Sequence, residues 1–565
     1  MTRNRLMPVL MLPVCATVTL ADPEPPTIQT RLALDLTELY TTSTDPFAPQ
    51  KTVRDTNLIL VNNDGDALIK AEFNGSSASD RPDVWFYSAF EQVGPRANPI
   101  WIQGQQTSLV DNAADVNLGS SLPLFLLDGR TVFYNETSFD ATTGPNRGSR
   151  MMRGTAVDTA SPSWSFVQVL GPDGNNPSAP SVSSTESIAF DGTLRGLKHV
   201  NQAQAMWFDG VGQNAANQTV GAIYRKADPA SSPQRLLGNG DVIALNGTAN
   251  YVPFRPALTS VADSGDLLFT DSVAPNSVAN RSYYSRSSAG DIALVYARNQ
   301  AVPDRAGASF ATDSVVEADV SATGDIAFQA ALNSGLAGIF TAQAGVANSL
   351  QTIAITGDTV NDGSGRFFSS LNSNAGHSPK LLPNGDVLFI GRTDAAGLWK
   401  YEQSSGDFVE LLADGDETGS NSQGNWLIDG MQEFAVNALG QIAIRVSTVT
   451  DDDNFDGAAL LLIDPVHGLI TVAQSGDLVN VDGNDVTVTN IFTSLNEGSA
   501  GAGPTQLSTA FANSGWLGYE IRYDGASGET GAVFVTRVIP EPGSLALLGA
   551  GAMTMLRRRR ELRGS

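Results

Sequence analysis

Cysteine and histidine are almost absent from this chain of 565 residues. The one cysteine is Cys15, and the three histidines are His199, His377 and His467. Because Cys15 falls in a predicted leader, the remainder has no thiol for a disulfide, a thiolate metal site or a cysteine nucleophile. Three scattered histidines argue against a zinc centre or a histidine-based catalytic centre.

Long amphipathic helical periods are missing as well. Short apolar runs alternate with turn sequences such as Asn-Gly, Asp-Gly and Ser-Gly, and there are 55 glycines. This pattern predicts an all-β protein. The length exceeds what one simple core uses, so several domains, a solenoid or a propeller are the available architectures.

Positive charge is scarce. The net charge is −25, the first 21 residues contribute two positive charges, and the segment from Gly543 contributes a net four. The body between these ends therefore carries about −31. An acidic surface of this size repels nucleic acid and anionic lipid, which excludes both as main partners.

One hairpin unit recurs along the chain, and its clearest copy is Val320 to Thr341. A turn ending in Gly324-Asp325 precedes a short strand, a second turn and a second strand. Eight first strands of this kind follow turns at Gly65, Gly129, Glu186, Gly265, Gly324, Gly385, Gly440 and Gly515. A large apolar residue stands four positions after each turn, and its predecessor is apolar too, as expected for a sheet packed between two others.

The repeat length predicts a β-propeller of four-stranded blades. Eight blades are preferred and seven are the alternative, because Glu186 replaces glycine in one copy. The last repeat stops after its second strand, at Arg537. The alternating residues Leu32, Leu34 and Leu36 predict a strand that completes this final blade and closes the ring.

The N-terminus has the features of a secretory signal. Arg3 and Arg5 precede an apolar core from Leu6 to Val14, and Ala16 or Ala21 fits the cleavage position. We therefore predict a signal peptide over residues 1–21 and the propeller over residues 22–538.

The C-terminus, residues 539–565, has three parts. Ile539-Pro540-Glu541-Pro542 precedes an apolar run from Leu545 to Leu556, which predicts a short transmembrane helix. A basic cluster follows, formed by Arg557, Arg558, Arg559 and Arg560. The run is shorter than the roughly 20 residues of a full span, which favours a transient stop over an ordinary anchor.

This tail resembles the PEP-CTERM sorting signal of Gram-negative bacteria. The resemblance implies that an exosortase recognises the tail, cuts near Pro540, Glu541 and Pro542, and directs the protein to the outer surface, usually together with exopolysaccharide production. A looser resemblance over Leu58 to Arg537 links the repeats to bacterial tandem-repeat propeller-like proteins with surface anchors, and it implies no activity.

One acidic loop is a candidate calcium site. Asp452, Asn454 and Asp456 precede Gly457 in the spacing D-x-N-x-D-G, which places alternate oxygens around one ion. Ile463 stands where an EF-hand has its twelfth-position glutamate, so the loop is not an EF-hand. The alternative is a solvated acidic turn.

Two further groups of residues invite a binding role. Gly-Asp pairs recur in the repeats and predict either a carboxylate ring or simple turn caps, at Asp241, Asp358, Asp416 and Asp477. Three tryptophans near loops are candidate sugar platforms, Trp101, Trp164 and Trp426. Trp207 and Trp399, in predicted strands, are assigned to the core between blades.

These features favour a secreted, non-enzymatic propeller that acts as a binding or scaffold module, with exosortase and extracellular polysaccharide as its expected partners. The membrane is expected to be contacted only through the tail helix before processing. The rival hypothesis is a polysaccharide lyase or glycosidase built on a propeller. No nucleophile elbow, P-loop, dinucleotide fingerprint or HExxH motif is present.

Overall fold

A computed structural model describes most of the body of the chain. The described residues are 27–38, 40–41, 50–74, 83–89, 97–102, 115–117, 124–139, 146–156, 164–170, 181–183, 186–189, 197–213, 219–245, 252–253, 256–272, 281–311, 318–361, 364–371, 378–452, 454–495, 510–525 and 528–539. Ile28–Val538 forms one compact unit. A second unit, Met1–Thr27 with Ile539–Ser565, lies outside these ranges apart from Thr27 and Ile539.

Every element in the described ranges is a β-strand. The chain begins with β1 (Thr27–Asp35) and a short hairpin of β2 (Tyr40–Thr41) and β3 (Gln50–Lys51). Blade 1 comprises β4 (Val53–Val61), β5 (Ala67–Phe73), β6 (Asp83–Ser88) and β7 (Asn98–Ile102). Blade 2 comprises β8 (Asp115–Asn117), β9 (Leu124–Leu127), β10 (Thr131–Phe139), β11 (Asn146–Ala156) and β12 (Trp164–Leu170).

The next blades keep this plan. Blade 3 comprises β13 (Ser181–Ser183), β14 (Glu186–Ala189), β15 (Leu197–Val200), β16 (Met206–Gln213), β17 (Thr219–Lys226) and β18 (Gln234–Gly238). Blade 4 comprises β19 (Ala257–Val261), β20 (Leu267–Ser272), β21 (Arg281–Arg286) and β22 (Ile292–Ala297). Blade 5 comprises β23 (Ala318–Val320), β24 (Asp325–Ala331), β25 (Ala337–Gln343) and β26 (Gln351–Ile355).

Three more blades complete the body. Blade 6 comprises β27 (Lys380–Leu381), β28 (Val387–Arg392), β29 (Ala396–Glu402) and β30 (Asp407–Ala413). Blade 7 comprises β31 (Glu417–Asn421), β32 (Gly424–Val436), β33 (Ile442–Thr450), β34 (Asp456–Asp464) and β35 (Gly468–Gln474). Blade 8 comprises β36 (Leu478–Val481), β37 (Asn484–Phe492), β38 (Trp516–Gly525) and β39 (Gly528–Ile539), with β1 as its outermost strand.

Neighbouring strands in each blade are antiparallel, and the predicted propeller of eight blades is confirmed. We call the end of a blade that carries the turn between its two inner strands the turn end. The opposite end, from which the chain passes to the next blade, is the loop end. In the described part of the chain no helix is long and apolar enough to cross a membrane.

The inner turns explain why glycine marks the repeat. In blade 1 the Asn62 side chain accepts from the amides of Asp64 and Asp66, and Gly65 takes a φ of 82° that disfavours a side chain. Gly324 and Gly385 repeat this conformation, with φ values of 83° and 89°.

The third copy lies elsewhere than the sequence predicted. Glu186 begins β14, whereas the inner turn of blade 3 runs from Asn201 to Ala205. Gln204 occupies the glycine position there, with a φ of 61°. Met206-Trp207-Phe208 begins β16, the strand that follows this turn. The glycine signal was missing because glutamine itself adopts the left-handed conformation, held by the Asn201 cap.

Eight apolar clusters of buried residues lie between successive blades in the described ranges. Adjacent positions alternate between two of them: Phe328 packs toward blade 4 and Ala327 toward blade 6. Small residues permit close approach, since a Cβ on Gly518 would lie 2.7 Å from Ile59 and from Val61. Both faces of each blade are therefore core.

The N-terminal strand closes the ring. β1 pairs with β39, and Leu34 and Leu36 are buried in the cluster that joins blade 8 to blade 1. The Leu36 amide donates to the Gly531 carbonyl at 3.1 Å. The strand predicted around Leu32, Leu34 and Leu36 is thus confirmed, and it covers the outer edge of β39.

Candidate functional site

The predicted sorting residues and basic cluster lie outside the described residues. The last described strand of blade 8, β39, ends at Ile539, and Pro540 is the next residue in the sequence. The domain boundaries at residues 21 and 538 stay predictions. Trp101 lies in β7 without a described side chain, and His377 lies outside the described ranges.

The acidic loop at the loop end of blade 7 is held by its own side chains. Asp452 Oδ1 accepts from Thr450 Oγ1 at 2.7 Å and from the Asn454 amide at 3.2 Å, while Asp452 Oδ2 accepts from the Asn454 side chain. The hydrogen bond from Thr450, followed by those from Asn454, lowers the Asp452 pKa. Asp456 begins β34 opposite Val449. The structure therefore brings Asp452 and Asn454 together and places Asp456 in the adjoining strand.

A second acidic group lies on blade 8 and was not predicted. Carboxylate oxygens of Asp35, Glu38 and Asp482 all lie within 4.8 Å of one another. Asp35 ends β1 and Asp482 occupies the tip of the β36–β37 hairpin, with a φ of 51°. Residues more than 440 positions apart meet here, so no local spacing in the sequence could have signalled the group.

Calcium binding by the acidic loop is testable by thermal unfolding. At a calcium concentration 100-fold above Kd, binding to the folded state should add about 2.7 kcal/mol to the free energy of unfolding. The double variant Asp452→Ala with Asp456→Ala should lose this calcium-dependent rise in Tm. Asp35→Asn with Asp482→Asn is the matched control, and its rise should persist. A parent protein whose Tm ignores calcium contradicts the prediction.

The recurring Gly-Asp pairs are turn caps at the connections between blades. Asp358 Oδ2 accepts from the Ile355 amide at 2.8 Å, and Asp416 Oδ2 accepts from the Ala413 amide at 2.8 Å. Asp241 repeats this bond to Gly238, and Asp477 accepts from the side chain of Asn421. The recurrence thus has a structural cause, which favours the turn-cap interpretation over a carboxylate ring.

The tryptophans with described side chains belong to the core. Trp426 is buried and donates to Asn421 Oδ1 at 3.0 Å, so its predicted role as a sugar platform is wrong. Trp164 is half-buried and packs edge-on against Tyr87, with ring centres 5.0 Å apart. Trp207 and Trp399 are buried between blades, as predicted.

Two histidines serve as structural links at the turn end. His199 Nε2 lies 2.9 Å from Asp263 Oδ1 and so joins blade 3 to blade 4. His467 Nδ1 lies 3.0 Å from Asp464 Oδ1, and Gln441 Nε2 donates to Asp464 Oδ2 at 2.7 Å. The His467 side chain is 3% exposed, so it is buried rather than solvated.

A buried charged group spans the seam between blade 8 and blade 1. Glu520 on β38 is fully buried; Thr56 Oγ1 donates to its Oε2, and Arg522 Nε contacts its Oε1. Arg522 Nη1 also lies 3.1 Å from Asp55 Oδ1. Burial raises the pKa of Glu520 to about 7, although Arg522 and Thr56 oppose the shift.

Hydrogen bonds from the closing strand, β1, also join blade 8 to blade 1 at this seam. Arg31 on β1 donates to Ser88 Oγ at 2.8 Å and to the Gly65 carbonyl at 2.6 Å. Burial lowers the pKa of Arg31 to about 10. Neither Arg31 nor Glu520 was singled out from the sequence. The one local sign was a carboxylate at Glu520 inside the strand pattern Trp516–Gly525.

Comparisons with known proteins give two matches to families and none to a curated protein. Residues 390–546 match a family described as a family of unknown function, DUF7453. Residues 538–560 match the PEP-CTERM protein-sorting motif. The second match covers the tail residues that the sequence singled out.

Solved structures from several organisms match part of this chain. A puromycin-hydrolyzing peptidase of Mycobacterium tuberculosis is 12% identical, with a TM-score of 0.36 and 79% of this chain covered. A Trypanosoma rangeli sialidase is 10% identical, with a TM-score of 0.28 and 95% covered. An acylaminoacyl peptidase of Pyrococcus horikoshii is 10% identical, with a TM-score of 0.35 and 83% covered. This chain spans 59%, 63% and 57% of their respective lengths.

The tail match and the eight sheets together define the protein's type. It is an eight-bladed β-propeller that carries a PEP-CTERM protein-sorting motif over residues 538–560.

Proposed function

We propose that this protein is a non-enzymatic binding or scaffold module of an extracellular polysaccharide matrix, delivered to the outer surface by exosortase. The observation that supports this most is the position of the tail. The sorting motif begins at residue 538, one residue before β39 ends, and the ring is closed by β1 from the other terminus. Removal of the tail after the motif therefore leaves every strand of the propeller in place.

The loop end is the surface we assign to binding. Connections between blades converge there, and such loops commonly carry recognition on a rigid scaffold. Two exposed aromatic side chains lie at this end: Phe367, 59% exposed, in the connection between blades 5 and 6, and Phe455, 47% exposed, in the acidic loop of blade 7. An exposed aromatic ring offers a flat apolar face on which a sugar ring can stack.

Glycan-array binding of the body, Asp22 to Ile539, tests the proposal with calcium and then with a chelator. We expect binding without release of sugar fragments. Phe455→Ala and Phe367→Ala should each weaken binding about tenfold. Leu478→Ala is the matched control, because Leu478 is exposed at the same end and has no ring.

Two results would contradict the proposal. Turnover of a polysaccharide by the purified body would assign the protein to the lyase or glycosidase class. Binding that is unchanged in both phenylalanine variants and that also persists with the chelator would remove the loop end as the binding surface. Binding that survives these changes and disappears with chelator would point to the acidic groups.

A further inference from the structure

Exposed apolar side chains cluster at the turn end of blades 7 and 8. Four large ones make up what we call the exit patch: Ile28, Leu439, Val466 and Leu469, with exposures of 44%, 53%, 40% and 40%. Exposed apolar residues scattered singly are ordinary, whereas a group at one end of two neighbouring blades marks an interaction surface.

Contacts on blade 7 bring three of these residues together. Gln441 Nε2 ties the Leu439 turn to Asp464, at the base of the hairpin tip that contains Val466. Leu469 follows this tip and pairs with Ile463.

Contacts across the blade boundary join blade 7 to blade 8, whose outermost strand, β1, carries Ile28. The Ala438 amide donates to Asn513 Oδ1 at 2.9 Å, which joins the inner turns of blades 7 and 8. A Cβ on Gly515 would lie 3.7 Å from Leu439 Cδ1. Leu32, four residues after Ile28 and on the same face of β1, packs against the cluster between these blades, as Ile470 does.

The chain leaves the propeller at this same end. Arg537 pairs with Trp516, directly after the inner turn of blade 8, and β39 ends two residues later. Five residues, 540–544, separate Ile539 from the predicted membrane segment at Leu545, and this stretch spans at most about 20 Å when extended.

Charge around the exit patch also differs from that of the other blades. The inner turns of blades 7 and 8, residues 437–441 and 513–516, contain no charged residue. Four other inner turns place an aspartate directly after the glycine, at Asp66, Asp266, Asp325 and Asp386. The inner turns beside the exit patch therefore bring no charge to it, and Asp464, two residues before Val466, is 3% exposed and held by Gln441, which reduces repulsion from a membrane surface.

We propose that the exit patch rests on the lipid surface while the sorting tail is inserted, so that the turn end faces the membrane and the loop end faces away from it. This rests on the proposed function, because it requires the tail to enter the bilayer before exosortase acts. The partner is the interfacial region of the bilayer, into which partly exposed aliphatic side chains insert. The consequence is that the loop end stays accessible before processing.

Single-site fluorescence tests the proposal in the full chain. With Cys15→Ser, the sequence has no other cysteine, so Val466→Cys or Leu439→Cys carries one environment-sensitive label. Leu336→Cys is the matched control, since Leu336 is 39% exposed in a hairpin at the loop end of blade 5. In phosphatidylcholine vesicles with spin-labelled lipid, labels in the exit patch should be quenched about threefold more than the control.

Co-flotation with the same vesicles tests insertion of the tail separately from the orientation of the propeller. A chain that does not float shows that the tail does not anchor, which overturns the insertion step shared with the proposed function. A chain that floats with equal quenching at all three positions overturns the orientation alone. Quenching of the exit patch that appears only after exosortase is co-reconstituted assigns the patch to the enzyme and overturns the lipid contact.

Discussion

A body that begins at Thr37 instead of Asp22 is expected to lose its cooperative unfolding transition at ordinary temperatures. The deletion removes β1, whose Leu34, together with Leu36 just after it, is buried against blade 1. Two fully buried leucines alone contribute about 3–6 kcal/mol, a large share of the 5–15 kcal/mol typical of a folded domain. The deletion also exposes β39 as an unpaired edge, which promotes association between molecules. Thermal unfolding and size-exclusion chromatography measure both effects.

Point variants in β1 separate the effect of side-chain packing on stability from the effect of shortening the chain. Leu34→Ala should lower the free energy of unfolding by about 2–5 kcal/mol. Gln29→Ala, at an exposed position of β1, should change it by less than about 0.5 kcal/mol. A synthetic peptide covering 27–37 should restore the truncated body, and the same peptide with Leu34→Asp should not. A truncated body that unfolds at the parent temperature would show that β1 does not close the ring.

The closing strand was predictable because both of its signals are local. Leu32, Leu34 and Leu36 alternate with smaller or polar residues, and the last repeat lacks its outer strand after Arg537. The inner turns were predictable for a similar reason, since Gly65 and its equivalents need a left-handed conformation that glycine adopts most easily. The repeat pattern therefore predicted most of the architecture.

The features that were missed depend on contacts across the ring. Thr56 and Glu520 are 464 positions apart, and no local sequence pattern around either residue predicts their contact. Trp426 looked accessible because it lies near a loop in the sequence, but it is part of the long β32 and is buried within blade 7. The inner turn at Gln204 was missed because it has no glycine. Glutamine takes the left-handed conformation there, and the Asn201 side chain caps the turn.

The residues at the position of Glu520 in other blades indicate which side chains can replace it. It stands five residues after the inner-turn glycine of blade 8, and the corresponding residues of blades 5 and 7 are Gln329 and Arg445. Gln329 donates to the Leu371 carbonyl of blade 6, and Arg445 Nε donates to the Ile491 carbonyl at 2.8 Å. A polar side chain here joins each of these blades to the next, and glutamine already fills the position once.

We expect Glu520→Gln to change how stability depends on pH. The folded chain holds a proton on Glu520 up to about pH 7, whereas the unfolded chain releases it near the ordinary value of 4.5. Stability from this group is therefore full below pH 4.5 and is lost as pH rises to about 7. The difference corresponds to about 3 kcal/mol, so the variant should gain that much relative to the parent between pH 4.5 and pH 8.

Denaturant unfolding at several pH values measures this gain, and Thr56→Val gives the opposite test. The Thr56 hydroxyl favours the ionised carboxylate, so removing it should raise the Glu520 pKa further and steepen the loss of stability with rising pH. In the double variant with Glu520→Gln, that extra slope should vanish, because no proton remains to be released. Parallel curves for the parent and Glu520→Gln over this pH range would show that the seam between blades 8 and 1 does not hold a protonated carboxyl.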